Sequence, residues 1–561
     1  MNESAIYHLS ESPYSYPMVG GRFFFRLRLG KEDRDSEVYV IYGNKFFLNH
    51  TKSRMRMPLE RVDGLFAYFE VVAKLTDNRV GYVFEIHNGG KTYFYSEEGL
   101  TETYDLQKAE VDYFEFSSVH DEDISKVPAW AKEAVFYQIF PDRFRIGNDA
   151  KDKSYINLPW GGEPKRDSFA GGDLKGISDS IEYLNELGIN AIYLTPIFRS
   201  NSNHKYDTLD YMQIDPQFGT EEDLKNLIEK AHEHGIKIVL DAVFNHISYR
   251  STQFQDALRN GKESKYWDWF FVDGDKIDVE RKNYQTFSIA RYMPKLNVLS
   301  PSCKEYLIGV ALHYLDLGID GWRLDVADEV SHPFWREFRS RIKAKHPEAI
   351  IIGEHWHNAH SFLNGDEFDG VMNYPVKYAI SDYLASKKND AKKTAERLNY
   401  LFTTYRYENL CACLNLLDSH DTARYLNLCG KDELALEASI ALLFFVPGMS
   451  CLYYGTEIPM EGGDDPDCRR CFPWDKAKQG SRHTDMVKRL IGIRKSIGAD
   501  RHFHCYEQDG MLIVERLHHG HGYRLTINAE NKEKGIIAYP LLCSNYQSGV
   551  LGENGFLIEE L

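Results

Sequence analysis

Three acidic residues each close a short apolar run: Asp325 in GIDGWRLDVADEV, Glu354 in AIIIGEHWH and Asp421 in LNLLDSHD. An upstream segment of the same form, KIVLDAVFNH, carries Asp241, Asn245 and His246. Carboxylates stay in water unless something holds them, so several at the ends of apolar strands imply one site where those strands converge. Two carboxyl groups flanking one bond can break a glycosidic linkage, one as acid and the other as nucleophile or base. A single Asp at a strand end is more often a cap or an ion-pair partner. Here Arg323 stands two residues before Asp325, on the same side of an extended strand, where its fixed charge can aim and ionise that carboxylate. Asp241 reads as support for Arg323 rather than as a reacting group, and Asn245 as scaffolding.

These residues need a frame. Residues 1–124 hold alternating runs such as GRFFFRLRL, EVYVIYGN and VGYVFEIHN, separated by Gly, Asn and Asp, which reads as an antiparallel β-sandwich. HDEDISKVPAWAKEA then leads into a second domain, 125–498, where strands alternate with amphipathic helices. Its candidate strands are VFYQIF, NAIYLTPI, IKIVLDAVF, IDGWRLDVA, AIIIGEH, DGVMNY, LNLLDSHD and MSCLYYGTE. Eight such units predict a (β/α)₈ TIM barrel, an α/β fold whose active site lies at the strand C-termini. Asp241, Asp325, Glu354 and Asp421 fall at the ends of the third, fourth, fifth and seventh strands. The connection after the third, residues 247–300, is too long for a loop and reads as an excursion that walls the site. The stretch 499–561 returns to β-type runs (GMLIVERL, GYRLTINA, GIIAYPLL) and predicts a small C-terminal β domain.

The segments DAVFNH, GWRLDVADE, GEHW and LLDSHD resemble the conserved regions of the α-amylase superfamily, and MPKLN at 293–297 resembles the neopullulanase, cyclomaltodextrinase and maltogenic amylase subgroup. The resemblance spans the whole chain, including the N-terminal β domain. It implies Asp325 as nucleophile, Glu354 as acid and base, and Asp421 as stabiliser of the oxocarbenium-like transition state, with retention of configuration. It further implies His246 and His420 as hydrogen-bond donors to the sugar being cleaved, and Tyr206 as the aromatic that stacks on it. Trp356 would offer a platform on the leaving-group side, and Asp465 and Arg469 would hold the neighbouring glucose. Asp328, His355 and Asp418 depart from the subgroup pattern and bring charge towards the pocket. The implied substrates are cyclodextrins, maltooligosaccharides and pullulan, cut at α-1,4 and in part at α-1,6 bonds. The implied assembly is a homodimer in which one subunit's N-terminal domain covers its partner's cleft. Two rivals stand beside hydrolysis: a transglycosylase of the same superfamily, and a non-catalytic glycan-binding protein, which would have no reason to keep all three acidic residues.

No cofactor is required for this chemistry. The loop FRIGNDAKD with GGD at 171–173 offers Asn148, Asp149, Asp152 and Asp173 as hard oxygen ligands suited to structural Ca²⁺; the alternative is a plain polar turn, and the sequence leaves both open. Of the 561 residues 43% are hydrophobic and 27% charged, the balance of an ordinary soluble protein. With 84 Asp and Glu against 67 Lys and Arg, the net charge of −17 argues against nucleic acid or an anionic membrane as partner. Nine irregularly spaced cysteines argue against a disulfide framework, and the pair Cys468 and Cys471 lacks the second pair that a zinc site would need. The N-terminus has no secretory pattern and no run reaches the ~20 apolar residues of a membrane span, so the expected compartment is the cytoplasm.

Overall fold

The computed structural model describes residues 1–106, 112–497, 502–518 and 520–561. The N-terminal domain is a two-sheet sandwich. One sheet runs Ser15–Met18, Arg22–Gly30, Phe66–Lys74, Leu59–Val62; the other is centred on Glu37–Asn44 and Val80–Asn88. Alternation in RFFFRLRLG turns Phe23, Phe25, Leu27 and Leu29 inward against Val38, Val40 and Phe84, which makes the core between the sheets.

All eight expected barrel strands form: β1 (Val135–Ile139), β2 (Ala191–Leu194), β3 (Lys237–Ala242), β4 (Gly321–Leu324), β5 (Ile350–Gly353), β6 (Gly370–Val371), β7 (Leu414–Leu416) and β8 (Met449–Tyr453). They pair in parallel in the order β6-β5-β4-β3-β2-β1-β8-β7. A single parallel bridge, Met372 to Leu414, closes β6 onto β7. At β6 only glycine fits: a Cβ on Gly370 would collide with the Ala412 carbonyl. The register places Asp241 beside Arg323 across β3 and β4, and Arg323 beside Ile352 across β4 and β5. Phe136, Tyr193, Val239, Ile352 and Met372 fill the barrel interior, while Phe244, Trp322 and Phe338 pack between strands and helices.

The excursion after β3 contains one α-helix, Thr252–Asn260, with two short 3-10 turns after it, and returns to the barrel through the helix Pro301–Asp316. Its MPKLN segment is stitched to the end of β3 by a bridge between His246 and Lys295. Lys295 Nζ donates to Asn245 Oδ1 at 2.7 Å, which gives Asn245 the scaffolding part expected of it.

The C-terminal sheet has the order Phe503–Gln508, Met511–His518, His521–Asn528, Val550–Glu560, Lys534–Gly535, with Leu542–Gln547 also paired to Val550–Glu560. Two details differ from the sequence reading. In GIIAYPLL only Gly535 belongs to a strand ahead of Leu542; the segment leaves the sheet before Pro540, which has no N–H to give a ladder, and Ile537 and Tyr539 are left exposed. The 11-residue strand Val550–Glu560 escaped notice because Gly552, Asn554 and Gly555 interrupt its apolar pattern. The expected boundary at 498–499 lies outside the described residues.

The N-terminal sandwich sits against the helix Ala391–Leu401 and the turn after it. Lys31 pairs with Glu396 at 2.6 Å, and the buried Arg26 bonds both Glu70 at 2.8 Å and the Thr403 carbonyl at 2.7 Å.

Candidate active site

β4 ends in Arg323 and Asp325, and the guanidinium is fully buried. Its Nη1 donates to Asp325 Oδ1 at 2.8 Å and to both Asp241 oxygens at 3.0 Å, while Nη2 lies 2.9 Å from Glu354 Oε1. One planar fork, with its terminal nitrogens only about 2.3 Å apart, thus holds the carboxyls that close β3, β4 and β5. That linkage suits the roughly 5 Å spacing of a retaining pair. Asp241 is further fixed by the hydroxyls of Tyr193 and Tyr206, which confirms it as the anchor of Arg323 within this geometry.

Glu354 is aimed from both sides. The Val326 N–H donates to its Oε2 at 2.9 Å, and Trp356 Nε1 donates to Oε1 at 3.2 Å. To present that N–H, Val326 adopts φ 47°, a left-handed conformation that a β-branched residue enters only under constraint, at about 1–3 kcal/mol. The strain sits next to Asp325.

Three carboxyls share one guanidinium in a buried place. Burial pushes the Asp241 carboxyl up to about 6 against the pull of Arg323. Burial likewise raises Asp325 well above the ordinary range; Arg323 opposes this, and the neighbouring Glu354 and Asp241 add to it. Asp241 and Asp325 therefore hold a proton to higher pH than isolated carboxyls would. Glycosidic cleavage needs a proton on the carboxyl that faces the leaving oxygen.

Asp421, after β7, has the most open side chain of the three acidic residues, 29% exposed. Its Oδ2 lies 3.0 Å from His420 Nε2, and its Oδ1 lies 3.5 Å from Arg469 Nη2. Gln138 Nε2 bonds His420 Nδ1 at 2.8 Å, so the imidazole proton is on Nε2, directed at Asp421 and at the Tyr206 hydroxyl 2.6 Å away. Burial, together with Arg469 and Arg323, keeps this ring neutral by pulling its pKa well below the usual value. Tyr206 and His420 stack with centroids 5.4 Å apart.

A cleft of about 460 Å³ opens over this floor. Tyr206, His246, Trp356, Asp465 and Arg469 all line it, with the three acidic residues at its base. Trp356 stacks on Tyr374 at 3.9 Å and presents its other face outward. Asp465 and Arg469 pair at 2.9 Å. His246 is held neutral by burial, its pKa drawn down to about 3. Its Nε2 has no well-formed hydrogen bond among the described residues, and a hydroxyl in the cleft would supply one. Every site residue expected from sequence apart from the calcium set is therefore brought to one place.

Sequence reasoning missed Gln138, His204, Phe287 and Met293. The last three line the cleft, and Phe287 stacks on His246 at 5.0 Å. The length of the excursion announced a wall, but nothing in it distinguished Phe287 from its other aromatics. Of the three departures, only the exposed Asp328 reaches the cleft. Asp418 is buried behind it, accepting from the Tyr425 N–H at 2.9 Å and the Thr456 hydroxyl at 3.1 Å, and His355 turns towards Phe362.

The four residues expected to hold calcium do not form an oxygen cage. Asp149 pairs with Lys153, and Asp152 folds back on Ser154. Asn148 Oδ1 accepts from the Ala150 N–H, and Asp173 caps the helix Leu174–Ser178 through the Gly176 N–H. Where their oxygens could have converged stands the ammonium of Lys151, its side chain 6% exposed, 2.9 Å from Asp173 Oδ2 and bonded to the carbonyls of Gly171 at 2.6 Å and Gln217 at 2.9 Å. A fixed cation already satisfies these acceptors, so the donor set does not fit a metal ion. Cys468 and Cys471 are buried thiols.

A (β/α)₈ barrel with paired carboxyls at its strand ends, a polarising arginine and an aromatic-lined cleft defines a glycoside hydrolase. Residues 138–496 match the family described as "Alpha amylase, catalytic domain", and residues 1–120 match "Alpha amylase, N-terminal ig-like domain". The chain belongs to the α-amylase family. It is 43% identical over 511 residues to a cyclomaltodextrinase of Geobacillus thermopakistaniensis (strain MAS1), spanning 89% of this chain and 86% of that one. To Neopullulanase 2 of Thermoactinomyces vulgaris it is 37% identical over 548 residues, 95% and 92% of the two chains. Its structure superposes on that of a solved cyclomaltodextrinase with a TM-score of 0.90 at 35% identity, covering 100% of this chain and 98% of the other.

Proposed function

We propose that this hydrolase opens cyclodextrins and shortens maltooligosaccharides and pullulan by double displacement at α-1,4-glucosidic bonds, with some α-1,6 cleavage. The observation that carries the mechanism is the Arg323 fork joining Asp325 and Glu354 on the floor of the cleft. Asp325 attacks the anomeric carbon while Glu354 passes its proton to the leaving oxygen as the glycosidic bond breaks. Asp421 and His420 hold hydroxyls of the distorted sugar, and burial strengthens their effect as positive charge develops. Glu354, now a carboxylate, takes a proton from water, whose oxygen attacks the same carbon and releases Asp325. A sugar hydroxyl in place of that water gives transfer instead of hydrolysis.

The restricted substrate range rests on the N-terminal domain. None of its described residues lines the chain's own cleft, yet it exposes Phe46 and Phe47, 65% and 61% accessible, in one turn. A homodimer that lays this turn over the partner's cleft would favour small or cyclic glucans. Similarity to an intracellular maltogenic amylase of Bacillus subtilis, 41% identical over 506 residues, supports a cytoplasmic location; among the described residues no helix is long and apolar enough to cross a membrane. Product analysis with β-cyclodextrin, pullulan and soluble starch side by side tests the reading. Faster opening of cyclodextrin than attack on starch is expected, with a dimeric mass in light scattering. Preference for starch by a monomer would refute the covered cleft.

A further inference from the structure

Away from the catalytic cleft, the N-terminal sandwich and the C-terminal sheet meet along two short strands, Leu59–Val62 and Phe503–Gln508. Here Glu60, His502 and His504 each bring one ligand atom to within 4.8 Å of the others. Local structure explains the convergence. Pairing of Leu59–Val62 with Phe66–Lys74 slips between Leu59 and Arg61, so Glu60 is the extra residue of a bulge, a distortion that re-aims a side chain. On the other strand Phe503 is fully buried, its ring 4.8 Å from that of Phe402. Alternation then turns His502 and His504 together to the opposite face, towards Glu60. Arg61 Nη1 donates to the Phe503 carbonyl at 3.1 Å, which fixes one strand against the other.

Two imidazoles and one carboxylate are a donor set for a borderline divalent transition metal such as zinc, nickel or copper; calcium and magnesium ask for oxygen throughout. Tetrahedral zinc, with ligands at about 2.0–2.2 Å, needs donor atoms roughly 3.3 Å apart, which small side-chain rotations supply from the present spacing. Glu60 and His504 also face a cleft of about 430 Å³, which leaves room for water as a further ligand.

We propose that Glu60, His502 and His504 form a binding site for a divalent transition metal that clips the N-terminal domain to the C-terminal domain. The site shares no residue with the catalytic cleft, so metal bound there acts on domain coupling and not on the bond-breaking step.

The test is titration of tag-free, full-length protein with zinc chloride, followed by calorimetry and by thermal unfolding. One equivalent should bind and raise the unfolding midpoint, with no response to calcium at the same concentration. The double variant His502→Ala/His504→Ala should lose that equivalent and the stabilisation, and Glu60→Gln, which removes a ligand itself, should weaken binding by at least the ~10–100-fold that loss of a ligand's outer hydrogen-bond partner costs. Neither histidine is in the core, and unchanged hydrolytic activity of the double variant without zinc would show that it folds. Absence of zinc binding in the wild type, or equal binding by the double variant, would overturn the assignment.

Discussion

Replacing Lys151 with methionine keeps the length of the stem and removes the cation. The carbonyl of Gly171 then loses this donor, and that of Gln217 keeps only the longer bond from the Tyr155 hydroxyl at 3.3 Å. Asp173 fares better, because the N–H groups of Gly147, Asn148 and Gly176 still serve its oxygens. The deficit therefore falls on the part-buried Gly171 carbonyl, the shorter of two bonds to Gln217 and part of one ion pair, about 3 kcal/mol in all. At ~2.1 cal/mol/K of unfolding entropy per residue, a barrel of roughly 360 residues would melt about 4 °C lower. Differential scanning of wild type and Lys151→Met, each with calcium and with chelator, reads this directly. The wild type should respond to neither addition, since its ammonium already fills the place of a metal. Lys151→Asn, which replaces the ammonium with an oxygen ligand, should instead recover part of its loss when calcium is added. A wild type stabilised by calcium and weakened by chelator would refute the reasoning, whatever the variants did.

Glu354→Gln should cut cyclodextrin hydrolysis by about 10²–10⁴-fold while oligosaccharide binding persists, and glucosyl fluoride, whose leaving group needs no proton, should still glycosylate Asp325; equal loss on both substrates would remove Glu354 as the acid. Arg323→Lys offers one ammonium where two carboxyls need a fork, and kcat/KM should fall by about 10²–10³-fold in steady-state assays; near-normal turnover would mean that the bridge is not used. His8, buried among the aromatic rings of the N-terminal sandwich, is pulled down to about 3, against about 6.5 unfolded. Between those values the unfolded chain takes up a proton that the folded chain refuses, so stability is complete above pH 6.5 and falls by about 1.4 kcal/mol per pH unit below it. His8→Gln should flatten the fall in urea midpoint from pH 7 to pH 5 by that share, and an unchanged slope would show that His8 is not held neutral.

Much of the barrel was legible because its strands are buried on both faces and read as short, uninterrupted apolar runs, with helices of clear period between them. Alternation made the sandwich legible in the same way. The strand Val550–Glu560 was not, since glycine and asparagine interrupt its pattern and only pairing with two neighbours holds it in the sheet. The calcium loop was undecided in the sequence for a different reason. Oxygen-bearing residues at suitable spacing describe a metal site and a set of helix caps and turns equally well, and the lysine that decides between them stood in the middle of the same segment.

The sequence by itself determined the chemical parts: three carboxyls at strand ends, an arginine two residues before one of them, and the eight-fold alternation that brings strand ends together. These are local facts, written in the period of side chains along a strand. Only the tertiary structure decided how the parts share charge. That one guanidinium serves Asp241, Asp325 and Glu354, that Val326 is strained to point its N–H at Glu354, and that Lys151 stands among the carbonyls of distant loops all depend on approaches between residues far apart in the chain. Hydrogen bonds and ion pairs act over about 3 Å, and no spacing along a sequence specifies a distance that short between separate elements.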